Sequence, residues 1–136
     1  AWWTTSAALP GMRERRWGRV VNIGSGAARS STPGGRLGYT AAKHGVIGLT
    51  KSMAVAWAAD NIQVNAVLPG WVDTDLTRQA RAQVAGLNER VLARSPAGRW
   101  GVAADFEGIA VFLASRASDF ITGVAIPVDG GYSSLV

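Results

Sequence analysis

Tyr39 and Lys43 stand four residues apart in "YTAAK", a spacing that puts both side chains on one face if the segment is helical. A phenol ordinarily titrates near 10, too high for an efficient base at neutral pH. An ammonium about 4 Å away favours the phenolate by up to about 4 kcal/mol at an effective dielectric near 20, enough to bring such a group into working range. Ahead of the pair, Ser25 closes the apolar run "RVVNIGS", and its hydroxyl can hydrogen-bond the substrate oxygen that the phenol protonates or deprotonates. Alone, a Tyr and a Lys at this spacing are more often a surface pair. The preceding strand-end serine, and a later apolar run ending in Pro69 and Gly70, give the pattern more weight.

The glycines around Ser25 suit two other chemistries less well. A dinucleotide-binding turn needs G-x-G-x-x-G between a strand and a helix, so that backbone amides meet a pyrophosphate. Gly24 and Gly26 fit, but Arg29 stands at the third position, and Pro33, Gly34 and Gly35 prolong the loop. A nucleophile elbow needs glycine two residues either side of the serine, where Ile23 and Ala27 stand. A serine hydrolase also wants a histidine base; the sole histidine, His44, reads as an ordinary helix residue beside Lys43.

These side chains need elements to place them. Residues 1 to 15 read as the end of a helix, with Pro10 and Gly11 as a kink or stop. The β-branched run 19 to 24 reads as a buried strand and 25 to 37 as a loop. Gly38 to about Ala59 reads as a long helix that tolerates Gly45 and Gly48 by packing closely against something. Residues 62 to 68 form a second buried strand, 75 to 94 one or two amphipathic helices, 105 to 115 another helix with Asp105 as N-cap, and 124 to 131 a third strand with a glycine turn. Strands alternating with helices predict an α/β fold with a parallel sheet covered by helices. Neither an internal repeat nor a linker divides the chain, so residues 1 to 136 are expected to form a single domain.

The composition, 48% hydrophobic and 17% charged, is globular, and no apolar stretch reaches the roughly 20 residues of a membrane helix. The net charge of +5 is carried almost wholly by scattered arginines. Only "RERR" clusters, with an acid inside it, so a solvated surface is expected rather than nucleic-acid binding. Cysteine is absent, which excludes disulfides, thiolate chemistry and cysteine-ligated metal and suits a cytoplasmic location. The opening residues lack the charge order of a signal peptide.

Taken in order, "GRVVNIGS", "YTAAKHGVIGLTKSMA", "IQVNAVLPGWVDTDL", "PAGRWG", "FLASRASDFITG" and "IPVDGGY" span nearly the whole chain. Together they resemble the C-terminal part of a short-chain dehydrogenase/reductase. The resemblance implies a Rossmann-like, doubly wound parallel sheet and an NAD- or NADP-dependent oxidoreductase acting on a small-molecule alcohol or carbonyl compound. It makes Ser25, Tyr39 and Lys43 the catalytic residues. Tyr39 would be the acid/base and Ser25 would orient the substrate oxygen, while Lys43 would favour the phenolate and hold the nicotinamide ribose. Pro69, Gly70, Val72 and Thr74 fall where the family binds the nicotinamide end. The tail looks most like the sugar or polyol dehydrogenases and the 3-oxoacyl-carrier-protein reductases. The resemblance also implies a homodimer or homotetramer formed through the long helix and the last strand.

There are departures. The loop between Ser25 and Tyr39 is about one residue longer than the family pattern. The family's opening T-G-x-x-x-G-x-G turn, its N-N-A-G and its catalytic asparagine do not occur in the chain. The sequence therefore reads as a member without its first four strands, and so without the adenosine and pyrophosphate half of the cofactor site or the residues that choose NAD or NADP. An alternative reading makes the chain a truncated piece without catalysis that acts in assembly, because bare sheet faces leave apolar surface for contacts. Trp71 and Trp100 either border the substrate or simply pack, and Arg78 and Arg81 either meet an anionic substrate or lie on a solvated helix face.

Overall fold

The computed structural model describes residues 1–26 and 37–135; most of the expected loop 25 to 37 lies outside the described residues. Helix α1 (Trp2–Glu14) leads to strand β1 (Gly18–Ile23), and the long helix α2 (Leu37–Trp57) ends in a 3-10 turn (Ala58–Asp60) before β2 (Ile62–Pro69). Helices α3 (Asp75–Gln83) and α4 (Leu87–Arg94) follow, then a 3-10 turn (Ala103–Phe106), α5 (Glu107–Ala114), a further 3-10 turn (Arg116–Ser118) and β3 (Ala125–Val128).

The strands form one parallel sheet in the order β1-β2-β3. In the first pair Val20 is in register with Val64 and Asn22 with Ala66, so alternation along each strand defines two faces. On one face Met53, Ala54 and Trp57 of α2 pack with Ile62 and Val64 of β2, joined by Leu9 and Met12 of α1 and by Val20. The other face is polar and bonded. Arg19 is paired with Gln63 and Asp119, Gln63 donates to Asp119 O at 3.1 Å, and Asn65 donates to Ile121 O at 2.9 Å. Helices thus cover both faces, which is why β2 reads as a continuous run and is buried at every position from Ile62 to Leu68.

Helix α1 keeps nearly the expected extent, Trp2–Glu14, with Pro10 inside it and no stop there; a proline near a helix end forfeits one backbone bond, and packing of Leu9 and Met12 against the core holds the last turn. Two local expectations are corrected. Among the described residues Gly45 and Gly48 have no close neighbour: a Cβ at either would meet nothing within 4 Å, because both lie on the face of α2 turned away from the sheet. Asp105 does not cap α5 directly. It sits in the preceding 3-10 turn, where its carboxylate accepts from Val102 N at 2.8 Å and pairs with Arg99.

One buried polar contact fixes α2 on the sheet. Asn22 of β1 donates to Thr50 Oγ1 at 2.9 Å, and the Thr50 hydroxyl donates to Val46 O at 2.7 Å. Both residues are buried, so loss of either partner would strand a polar group in the core.

Candidate active site

The predicted site residues follow the carboxyl ends of β1 and β2, where ligands bind in open α/β sheets. Beyond Ile23, Gly24 donates its N–H to Val67 O at 2.8 Å, and a Cβ there would collide with Leu68 Cδ2. Ser25 follows, partly buried. At Gly26 an added Cβ would lie 3.5 Å from Pro69 O, so the serine segment runs beside the end of β2.

Tyr39 and Lys43 lie on the first turns of α2. Lys43 Nζ stands 5.8 Å from the centre of the Tyr39 ring and donates to Ile23 O at 3.0 Å. The ammonium thus ties the start of α2 to the end of β1, two residues before Ser25. Tyr39 is 48% exposed. His44, with Nδ1 2.9 Å from Thr40 O, is an exposed helix residue, as expected.

The second segment, Pro69 to Thr74, is held on three sides. Gly70 donates to Val128 O at 3.1 Å, and a Cβ would come within 2.5 Å of Asp129 Cβ and 2.7 Å of its Cα, so only glycine fits. Val72 bridges Gly101, with Gly101 N bonded to Trp71 O at 2.9 Å and Asp73 N to Gly101 O at 2.8 Å. Thr74 caps α3: its Oγ1 accepts from Thr77 N at 3.3 Å, and its own N–H donates to Thr77 Oγ1 at 2.9 Å. Its hydrogen bonds among the described residues run to Thr77 rather than to Tyr39 or Lys43.

The arginines and tryptophans resolve into a structural cluster. Arg78 and Arg81 both pair with Asp73, and hydrogen bonding from Arg78, the largest influence, holds the Asp73 carboxyl below its ordinary range. Arg81 also lies 4.3 Å from the centre of the Trp100 ring. Trp100 meets Trp71 edge-on at 5.5 Å and donates Nε1–H to Asn88 Oδ1 at 2.9 Å, while Trp71 meets Tyr132 at 6.5 Å. Trp71 also lines a cavity of about 210 Å³ with Arg99, Asp105, Phe106 and Asp129. Trp100 therefore packs. Arg78 lies on a solvated helix face, its side chain 59% exposed, and Arg81 is partly buried, with the Asp73 carboxylate pairing with both.

Sequence reasoning missed Thr77. A capping box normally shows Glu or Gln three residues after the cap, and "TDLT" carries threonine there instead.

Known proteins resemble the chain along nearly its whole length. A family model described as enoyl-(acyl carrier protein) reductase matches residues 1–133. A 2-dehydro-3-deoxy-D-gluconate 5-dehydrogenase of Bacillus subtilis is 51% identical over 125 residues, covering 90% of this chain and 48% of that protein. A 3-oxoacyl-[acyl-carrier-protein] reductase of Pseudomonas aeruginosa is 41% identical, covering 93% and 50%. The crystal structure of a gluconate 5-dehydrogenase from Burkholderia cenocepacia, in complex with NADP and tartrate, superposes with a TM-score of 0.90 at 40% identity, covering 96% of this chain and 51% of that one. The chain belongs to the short-chain dehydrogenase/reductase family, and it spans about half the length of the curated relatives it matches. Among the described residues, no helix is long and apolar enough to cross a membrane.

Proposed function

We propose that the chain carries the reacting centre of an NAD(P)-dependent oxidoreductase that moves a hydride between the nicotinamide and an alcohol or carbonyl carbon of a sugar acid. The observation that carries this reading is the placement of Lys43, bonded to Ile23 O at the end of β1 and 5.8 Å from the Tyr39 ring. Tyr39, open to solvent on one side, can take the proton of a substrate hydroxyl or return it to a carbonyl oxygen. Ser25 orients that same oxygen by a hydrogen bond. The sugar-acid assignment rests on the 51% identical relative and on the solved gluconate 5-dehydrogenase, both named for such substrates.

The donor set fits the nicotinamide half of NAD or NADP. An ammonium has three donors; one of Lys43's is taken by Ile23 O, leaving two for vicinal ribose hydroxyls. The segment Pro69, Gly70, Val72 and Thr74 supplies backbone groups and one hydroxyl for the carboxamide. When bound, the cofactor supplies or accepts the hydride. NADP is favoured by the gluconate 5-dehydrogenase complex.

The test joins the chain to the half of the Bacillus subtilis relative that it does not match, and follows nicotinamide absorbance with 2-dehydro-3-deoxy-D-gluconate. Tyr39→Phe should cut kcat by about 10²- to 10⁴-fold, the usual contribution of a positioned acid/base, with cofactor affinity unchanged. An active Tyr39→Phe protein would overturn the reading.

The same reading includes self-association as a homodimer or homotetramer. Gly45 and Gly48 leave room on the outward face of α2 for a second helix to approach its backbone, and Val55 beside them is 85% exposed. Light scattering on the joined protein should report two or four copies; a monomer at micromolar concentration would remove this part.

A further inference from the structure

We infer that Thr77 is a positioning residue for nicotinamide recognition, acting through the Thr74 hydroxyl. This rests on the reading of residues 69–74 as the nicotinamide-facing segment. Thr77 Oγ1 stands 2.6 Å from Val72 O, 3.0 Å from Thr74 O, 2.9 Å from Thr74 N and 3.2 Å from Thr74 Oγ1. It therefore bonds both of the segment's last two proposed contact residues.

The proton count gives these contacts a direction. A hydroxyl has one proton and two acceptor lone pairs. The shortest of the four contacts, to Val72 O, commits the Thr77 proton to a carbonyl that cannot donate in return. Thr77 Oγ1 then faces Thr74 as an acceptor, already receiving the Thr74 N–H. With the Thr77 proton spent on Val72 O, Thr74 Oγ1 is the donor in its 3.2 Å contact with Thr77 Oγ1, and it accepts from Thr77 N at 3.3 Å. The Thr74 hydroxyl proton is thus turned inward and one lone pair is left facing out, and an acceptor is what the N–H of a carboxamide requires. Asp73, between the two contact residues, keeps the segment from rotating by gathering Arg78 and Arg81 of the same helix.

An isosteric change isolates the hydroxyl. Thr77→Val keeps the shape and removes the oxygen, whereas Thr77→Ser keeps the oxygen and removes only a methyl. The 136-residue chain is titrated with reduced nicotinamide mononucleotide, and the dissociation constant is read by ligand-observed NMR, with far-UV circular dichroism verifying the fold. Thr77→Val should weaken binding by about 10-fold, the usual effect of one well-made hydrogen bond. Thr77→Ser should stay within about twofold of the parent, and Thr77→Val should add no further loss to Thr74→Val, since both remove the same contact. Equal binding by parent and Thr77→Val, or fully additive losses in the double variant, would overturn the inference alone. A parent chain that does not bind the probe would overturn the reading of residues 69–74 and the inference with it.

Discussion

After β1 the chain presents Tyr39 nearly half exposed and, among the described residues, ties Lys43 to Ile23 O. After β2 it surrounds six residues with a glycine wedge against Asp129, a bridge to Gly101, a reciprocal helix cap and a shared ion-pair cluster. The two segments sit side by side at the same edge of the sheet. The proposed function gives that difference a reason: a group that trades protons needs access and a nearby charge, whereas a surface that recognises a flat ring must not move. On that proposal stability is expected mainly from the second region and chemistry mainly from the first, and mutation can separate the two.

The largest loss of stability is expected from Trp100→Ala. Trp100 is 8% exposed, bonded to Asn88, stacked under Arg81 and edge-on to Trp71, so its removal should cost about 3–5 kcal/mol in denaturant unfolding. A loss below about 1 kcal/mol would break the comparison. A smaller effect concerns acid. Hydrogen bonding from Arg99, the largest influence, then from Val102 N, lowers the Asp105 carboxyl from 3.8 to about 2. A carboxylate whose folded value is depressed contributes stability that is complete above its ordinary value and is lost as pH falls through the folded one. Asp105→Asn should therefore flatten the pH dependence of unfolding between about 4 and 2 while changing its slope little near neutrality; an unchanged acid limb would show that the Arg99 pair holds nothing. The smallest effect on stability should come from the residue most damaging to turnover. Tyr39→Phe removes one hydroxyl from a half-exposed ring and should shift unfolding by less than about 0.5 kcal/mol.

The strands and helices were legible where burial writes a pattern. β2 is buried along nearly its whole length, its apolar run interrupted only by the bonded Gln63 and Asn65, and the alternation of strands with helices announced the parallel order. Less legible was which partner a charged or polar side chain takes. Arg78 and Arg81 read as a solvated stripe on α3, and nothing in their spacing shows that Asp73, just before the helix, pairs with both. Asp105 carries the residue type of a helix cap, yet Arg99 and Val102 N draw it into the turn before. The glycines of α2 suggested a crowded face, and the structure turns them outward. At the site, Tyr39, Lys43 and the glycines near Ser25 could be read because their spacing is local. Thr77 could not, because its role comes from a carbonyl five residues back at Val72.

The bond from Asn22 to Thr50 has a consequence for how such a protein can change. Thr50 lies eleven residues along α2 from Tyr39, about 16 Å at the helical rise, yet it sets both the rotation and the axial stop of the rod that carries the phenol. It works as an indexing pin: a helix clicked into place at its far end presents its near end in one phase only. The alignment of Tyr39, the proposed acid/base, with the end of β1 is therefore stored in the core as well as at the Lys43 contact, so on the proposed function residues facing a substrate could be rewritten for a new molecule without retiming the helix that carries the phenol.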